Sequence, residues 1–120
     1  MYTEQKRASI RQENRITRTF KQIQEDVRRT MASGALWFQK SDVVTNMFRI
    51  EAKTKIKPSS SITLKKGWFD KIEREAFESG KIGLIAFSFG DNKDYIAINS
   101  DDFIALMKEL IELRKVAAHE

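Results

Sequence analysis

Between Lys81 and Gly90 the chain carries an almost unbroken apolar run, Ile82 to Phe89. At eight residues it falls far short of the roughly 20 that a membrane-spanning helix needs. Bounded by a glycine and lacking alternation, it reads as a central strand covered on both faces. A strand of that kind cannot stand alone, so the rest of the chain has to supply paired strands and layers above and below it.

Those partners are legible on either side. Ile16, Phe20, Ile23 and Val27 recur at steps of four, three and four, which predicts a helix over Ser9 to Met31. Continuing that stripe three residues backward lands on Glu13. An inward carboxylate is costly unless partnered. Glu13 therefore lies either on a frayed first turn, beside an arginine, or in a site that uses its charge. Ala32 to Lys40 reads as a connection holding Gly34, Leu36, Trp37 and Phe38. Ser41 to Thr45 and Phe48 to Lys53 read as two short strands around Asn46-Met47, and Pro58 with Ser59 to Ser61 closes that unit. Leu64 to Ser79 has Trp68, Phe69, Ile72, Ala76 and Phe77 at helical intervals, with Gly80 as its stop. Gly90-Asp91-Asn92 turns into a strand over Tyr95 to Asn99. Ser100 is a suitable N-cap for a last helix, about 101 to 117, with Phe103, Leu106, Met107, Leu110, Ile111 and Leu113 on a broad apolar face. The predicted order is α-β-β-α-β-β-α. This is an α/β chain (α+β mixed) with a central mixed sheet flanked by helices, in one domain over residues 1–120.

Composition narrows the chemistry. With no cysteine, disulfides, thiolate metal sites and cysteine nucleophiles are all excluded, and a reducing, cytoplasmic setting is expected. The single histidine, His119, is the second-last residue, a poor place for an imidazole that must work inside a fold. Chemistry here falls to carboxylates and lysines. Met1 to Arg18 lacks the apolar middle of a secretory signal, and no membrane partner is expected. The formal net charge of +5 points to a polyanion, and its distribution points more firmly. Eight basic and four acidic residues lie between Met1 and Arg29, and five lysines without an acid lie between Lys53 and Lys66. Both basic zones flank the segment that holds Asp42 and Glu51.

That segment carries the site. Glu51 and Lys53 share a strand face about 7 Å apart, because side chains alternate. If Asn46-Met47 is a two-residue turn, Thr45 faces Phe48, Val44 faces Arg49, Val43 faces Ile50 and Asp42 faces Glu51. Facing carboxylates with Cβ atoms roughly 5 Å apart repel one another. A hard cation such as Mg²⁺ resolves that conflict with oxygen ligands. A solvated face neutralised by Lys53 and Arg49 resolves it as well, and on geometry alone both readings stay open.

Asp42 followed by Glu51-Ala52-Lys53 resembles the Asp…Glu-x-Lys signature of the restriction-endonuclease-like nuclease superfamily. The surrounding order of elements, from about Lys6 to Met107, resembles the archaeal-type Holliday junction resolvases and their phage relatives. The gap between Asp42 and Glu51 is shorter than in those resolvases, and the 32–40 connection is longer and more aromatic. The resemblance implies a structure-selective, Mg²⁺-dependent endodeoxyribonuclease, with Mn²⁺ substituting, acting on four-way junctions or other branched DNA as a homodimer. It implies a metal held by Asp42, Glu51 and the Ala52 carbonyl, with Glu13 from the first helix joining, and Lys53 beside the reacting phosphate. Lys6, Arg7, Arg11, Arg28 and Arg29 are then expected to track one DNA backbone, and Lys55, Lys57, Lys65 and Lys66 to grip phosphates near the cut. No base-reading element is recognisable, so DNA shape is the expected cue. Trp37 and Phe38 stay open between a wedge against an unstacked base and core or dimer contacts. A compact chain of this kind would suit a phage. The alternatives are a nuclease of the same fold acting on other DNA, a non-catalytic DNA-binding protein, and an interaction protein that binds no nucleic acid.

Overall fold

A computed structural model describes residues 2–24, 26–30 and 41–119. The first helix, α1 (Glu4–Phe20), starts on Thr3, whose hydroxyl accepts from the Lys6 N–H at 3.1 Å. Its inward face is Ala8, Gln12, Ile16 and Phe20, a stripe with a constant step of four.

This corrects the helix expected over Ser9 to Met31, because α1 ends at Phe20 and Met31 lies outside the described residues. Ile23 is 67 % exposed, so the apolar stripe breaks there. Val27 still reaches the core, from the approach to a short strand, β1 (Arg28–Arg29). Edge pairing supplies the backbone bonds that a longer helix would have supplied: Arg28 and Arg29 pair antiparallel with β2 (Val43–Val44), and the Thr30 N–H donates to the Asp42 carbonyl. The sheet therefore has one strand more than predicted. The connection from Ala32 to Lys40, including Gly34, Leu36, Trp37 and Phe38, lies outside the described residues.

The remaining elements are β3 (Phe48–Thr54), α2 (Lys66–Glu78), β4 (Ile82–Ser88), β5 (Asp94–Ala97) and α3 (Ser100–Ala118). The five strands among the described residues lie in sequence order across one sheet. Every neighbouring pair is antiparallel except β3 and β4, which run parallel from Phe48↔Ile82 to Thr54↔Ser88. A parallel pair needs a crossover, and α2 provides it.

The apolar run at Ile82 is covered on both faces, as expected. On one side Leu84 and Ala86 join Ile16, Phe20, Val27, Val43, Phe48 and Ile50 under α1, with Phe20 edge-on to Phe48 at 5.7 Å between ring centroids. On the other side Ile85 is buried with Ile72 and Ala76 of α2. Gly83 allows that close approach, since a Cβ there would stand 2.8 Å from the Ile72 carbonyl oxygen. Gly80, at φ +68°, stops α2 as predicted.

The cap of α3 is Asn99, one residue earlier than expected, with its side chain accepting from the Asp102 N–H at 2.8 Å. None of the residues of α3 is buried, and Ile111 and Leu113 are 53 % and 67 % exposed. No helix among the described residues is long and apolar enough to cross a membrane.

Candidate active site

The hairpin of β2 and β3 brings the acidic residues together. Val44 pairs with Arg49 and Val43 with Ile50, as the two-residue turn requires. Thr45 closes the turn: its N–H donates to the Phe48 carbonyl, and its hydroxyl accepts from the N–H groups of Met47 and Phe48. One step beyond Val43 the simple register ends. The Asp42 N–H donates at 2.9 Å to the carbonyl of Ile50, the residue already paired with Val43. Asp42 is thus offset as in a bulge, and does not face Glu51 squarely as the turn alone predicted. Its carboxylate instead accepts from the Ala52 N–H at 2.8 Å. A bonded backbone donor turns the Asp42 head toward the Glu-x-Lys segment while easing its repulsion with Glu51.

Electrostatics tie four predicted residues into one group. Burial raises the Asp42 carboxyl above its usual value, against the Ala52 N–H and the charges of Lys53, Lys71 and Lys6. Burial also raises Glu51, Asp42 raises it further, and Lys71 and Lys53 oppose the rise. Glu13 is pushed up to about 7 by burial first and then by Asp42, with Arg29 and Lys6 pulling it back. Lys53 Nζ lies 3.4 Å from Glu51 Oε2. Glu13 sits in the middle of α1, not on a frayed first turn, and pairs with Arg29 at 3.2 Å.

Among the described residues no three carboxylates or imidazoles are grouped so as to ligate one ion directly. Asp42 and Glu51 are left as the carboxylate pair, with Glu13 within electrostatic reach of both. The donor chemistry fits a hard divalent cation. Two desolvated carboxylates, each resisting ionisation, would be stabilised by a doubly charged ion with a preference for oxygen.

The basic residues do not form one track. Lys6 acts through its charge on Glu13 and Asp42, and Arg29 is held by Glu13 and by Asn14 at 3.2 Å. Arg28 and Arg49 both press on Lys81, whose ammonium donates to the Thr45 carbonyl at the hairpin turn. Arg11 and Lys55 line a common hollow. Arg7 donates to the Tyr2 carbonyl, and Lys66 pairs with Asp70 at 2.8 Å. Lys65 Nζ lies 5.9 Å from the Trp68 ring, and the Lys57 carbonyl packs on Gly90.

Sequence reading missed three neighbours of the site. Gln12 is 1 % exposed and donates to the Lys53 carbonyl at 2.8 Å, which ties α1 to the end of β3. Stepping four residues back from Ile16, instead of three, would have found it. Lys71 is paired with Glu75 at 3.7 Å and acts electrostatically on both Asp42 and Glu51, a role only the tertiary placement of α2 reveals. Trp68 carries the Lys53 ammonium 4.7 Å from its ring centroid, and its place in the apolar stripe of α2 had suggested only packing.

The described residues form a mixed sheet with α1 and α2 on opposite faces and acids gathered on the β2–β3 hairpin, a fold shared with a solved structure. Among solved structures it is similar to Hjc from Archaeoglobus fulgidus, a Holliday junction resolvase from an archaeal hyperthermophile. The likeness has a TM-score of 0.52 at 18 % identity and covers 70 % of this chain and 73 % of that one. In sequence, no family model and no curated protein matches the chain.

Proposed function

We propose that this protein is a divalent-metal-dependent endodeoxyribonuclease that cuts branched DNA, acting as a Holliday junction resolvase. The observation that carries the reading is the gathering of Glu13, Asp42, Glu51 and Lys53, linked through the charge effects on all three carboxylates. The known activity of the structural neighbour adds the substrate class.

In this reading Asp42, Glu51 and the Ala52 carbonyl hold Mg²⁺, or Mn²⁺ in its place. When bound, the ion supplies Lewis acidity at the phosphate and a more acidic water. Lys53 orients the attacking water and offsets the negative charge that grows on the phosphate oxygens. Glu13 accepts a hydrogen bond from water in the cleft and is itself held by Arg29. The water oxygen joins phosphorus, the bond to the 3′ oxygen breaks, and a proton passes to that leaving oxygen. Lys6 and Lys71 add positive charge at the mouth, and Arg11 and Lys55 extend it along the strand, which makes affinity strongly dependent on salt.

Two cuts across a four-way junction call for two sites related by symmetry, so the proposed assembly is a homodimer. The exposed apolar residues of α3 supply a surface for it. The proposed setting is the cytoplasm, that of the host if the chain is phage-encoded.

The test is incision of an immobile four-way junction, a flap and a linear duplex in Mg²⁺, by native protein and by Glu51→Ala. Paired symmetric nicks in the junction, lost in the variant while binding persists, are expected. Equal cutting of plain duplex would leave a nuclease of the same fold with another substrate. Binding without any cutting would leave a non-catalytic DNA-binding protein.

A further inference from the structure

Trp68 stands in the first turn of α2, and the chemistry above leaves it unused. Lys53 Nζ lies over its ring at 4.7 Å from the centroid, and the Lys65 ammonium lies 5.9 Å from the same ring. Ring and lysine together line a groove of about 320 Å³, with Gln5, Ser9, Thr54 and Lys55 among its walls and no carboxylate among the described residues of its lining. On its other side the Lys53 ammonium meets Glu51 Oε2 at 3.4 Å.

We infer that Trp68 is a positioning residue, whose ring face holds the Lys53 ammonium at the mouth of this groove. A lysine head sits on a long flexible stem and has three donors. Glu51 engages one donor. A second carboxylate would engage another and cancel the charge that a phosphate is to meet. An aromatic face attracts the cation through its quadrupole and offers no lone pair, so the remaining N–H groups stay free for water or phosphate. The head is then ordered before the DNA strand arrives, and less freedom has to be lost in the reacting geometry. The catalytic consequence rests on the nuclease reading; the contact itself does not.

Two measurements on the full chain test this. In metal-free protein, ¹H–¹³C NMR of the lysine ε-methylenes, with Lys53→Arg to identify the signal, should show Lys53 shifted upfield by the ring. Trp68→Phe should retain part of that shift and Trp68→Leu, apolar but without a ring, should lose it. On a four-way junction in Mg²⁺, Trp68→Leu should lower kcat by about two- to thirty-fold, the range of a cation–π contact, with KM for DNA within about twofold of native. Trp68→Phe should recover most of the loss. An unshifted Lys53 signal in the native protein would overturn the contact. Equal loss of kcat in Trp68→Phe and Trp68→Leu would overturn the positioning role. A shifted signal in a native protein that cuts no DNA would overturn the nuclease reading, and the catalytic role with it.

Discussion

Replacing Glu13 by Gln should make the metal-free protein more stable at neutral pH while removing the proposed cutting of branched DNA. The Glu13 carboxyl is raised from 4.5 to about 7, chiefly by burial and then by Asp42. Below pH 4.5 the group is protonated folded or unfolded, and it carries no penalty. As pH rises from 4.5 towards 7 the unfolded chain releases this proton while the folded one retains it, so folded stability falls; above 7 the full penalty stands. A rise of about 2.5 at ~1.36 kcal/mol each sets a ceiling near 3 kcal/mol. The Glu13 side chain keeps 14 % of its exposure and the pair with Arg29 is lost in the variant, so about 1–2 kcal/mol is the expected gain. For a domain of this size that corresponds to roughly 4–8 °C in Tm. The assay is thermal and urea unfolding of native and Glu13→Gln protein in EDTA, from pH 4.5 to 8. The two curves should meet near pH 4.5 and diverge as pH rises, with the variant above. Parallel curves, or a variant less stable at pH 7.5, would refute the claim that Glu13 is held in a desolvated acidic cleft.

Three further outcomes follow from the same geometry. Mg²⁺ at ten times its dissociation constant should stabilise native protein by about 1.4 kcal/mol, roughly 5 °C in a thermal scan, and should do nothing for Asp42→Asn combined with Glu51→Gln. Gly83→Ala should cost about 1–3 kcal/mol in urea unfolding, since its Cβ would press on the Ile72 carbonyl oxygen 2.8 Å away and force α2 off the sheet. The proposed homodimer predicts that Ile111→Glu, at a half-exposed apolar position of α3, yields a monomer by light scattering where native protein is dimeric, with an unchanged far-ultraviolet circular dichroism spectrum. An unaltered dimer would move the interface elsewhere.

Much of this architecture was legible because local patterns coincided with tertiary demand. The run at Ile82, the two-residue turn after Thr45, the crossover helix and its stop at Gly80 each answer to a short-range rule of periodicity or turn chemistry. The end of α1 did not. Val27 continues the helical spacing of Ile16 and Phe20, yet it reaches the same core from a strand, and spacing cannot tell those two routes apart. The pairing of β1 with β2 joins residues 14 or more positions apart, and no local signal records it. The basic residues were the least legible. Charge along the chain placed Arg28 beside Arg29, whereas the fold sends Arg29 to Glu13 and Arg28 towards Lys81.

By itself the amino-acid order determined which groups are available for chemistry: carboxylates and lysines without a usable thiol or imidazole. It also determined that Glu51 and Lys53 share one strand face, because alternation along an extended backbone is a covalent consequence. Only the tertiary structure decided that Asp42 is offset from Glu51 and takes the Ala52 N–H, that Gln12 rather than Glu13 fills the buried step of α1, that Lys71 bears on Asp42 and Glu51, and that Trp68 stands beside Lys53. Those placements depend on how α1 and α2 pack across the sheet, and packing answers to the shapes of distant residues that no local spacing encodes.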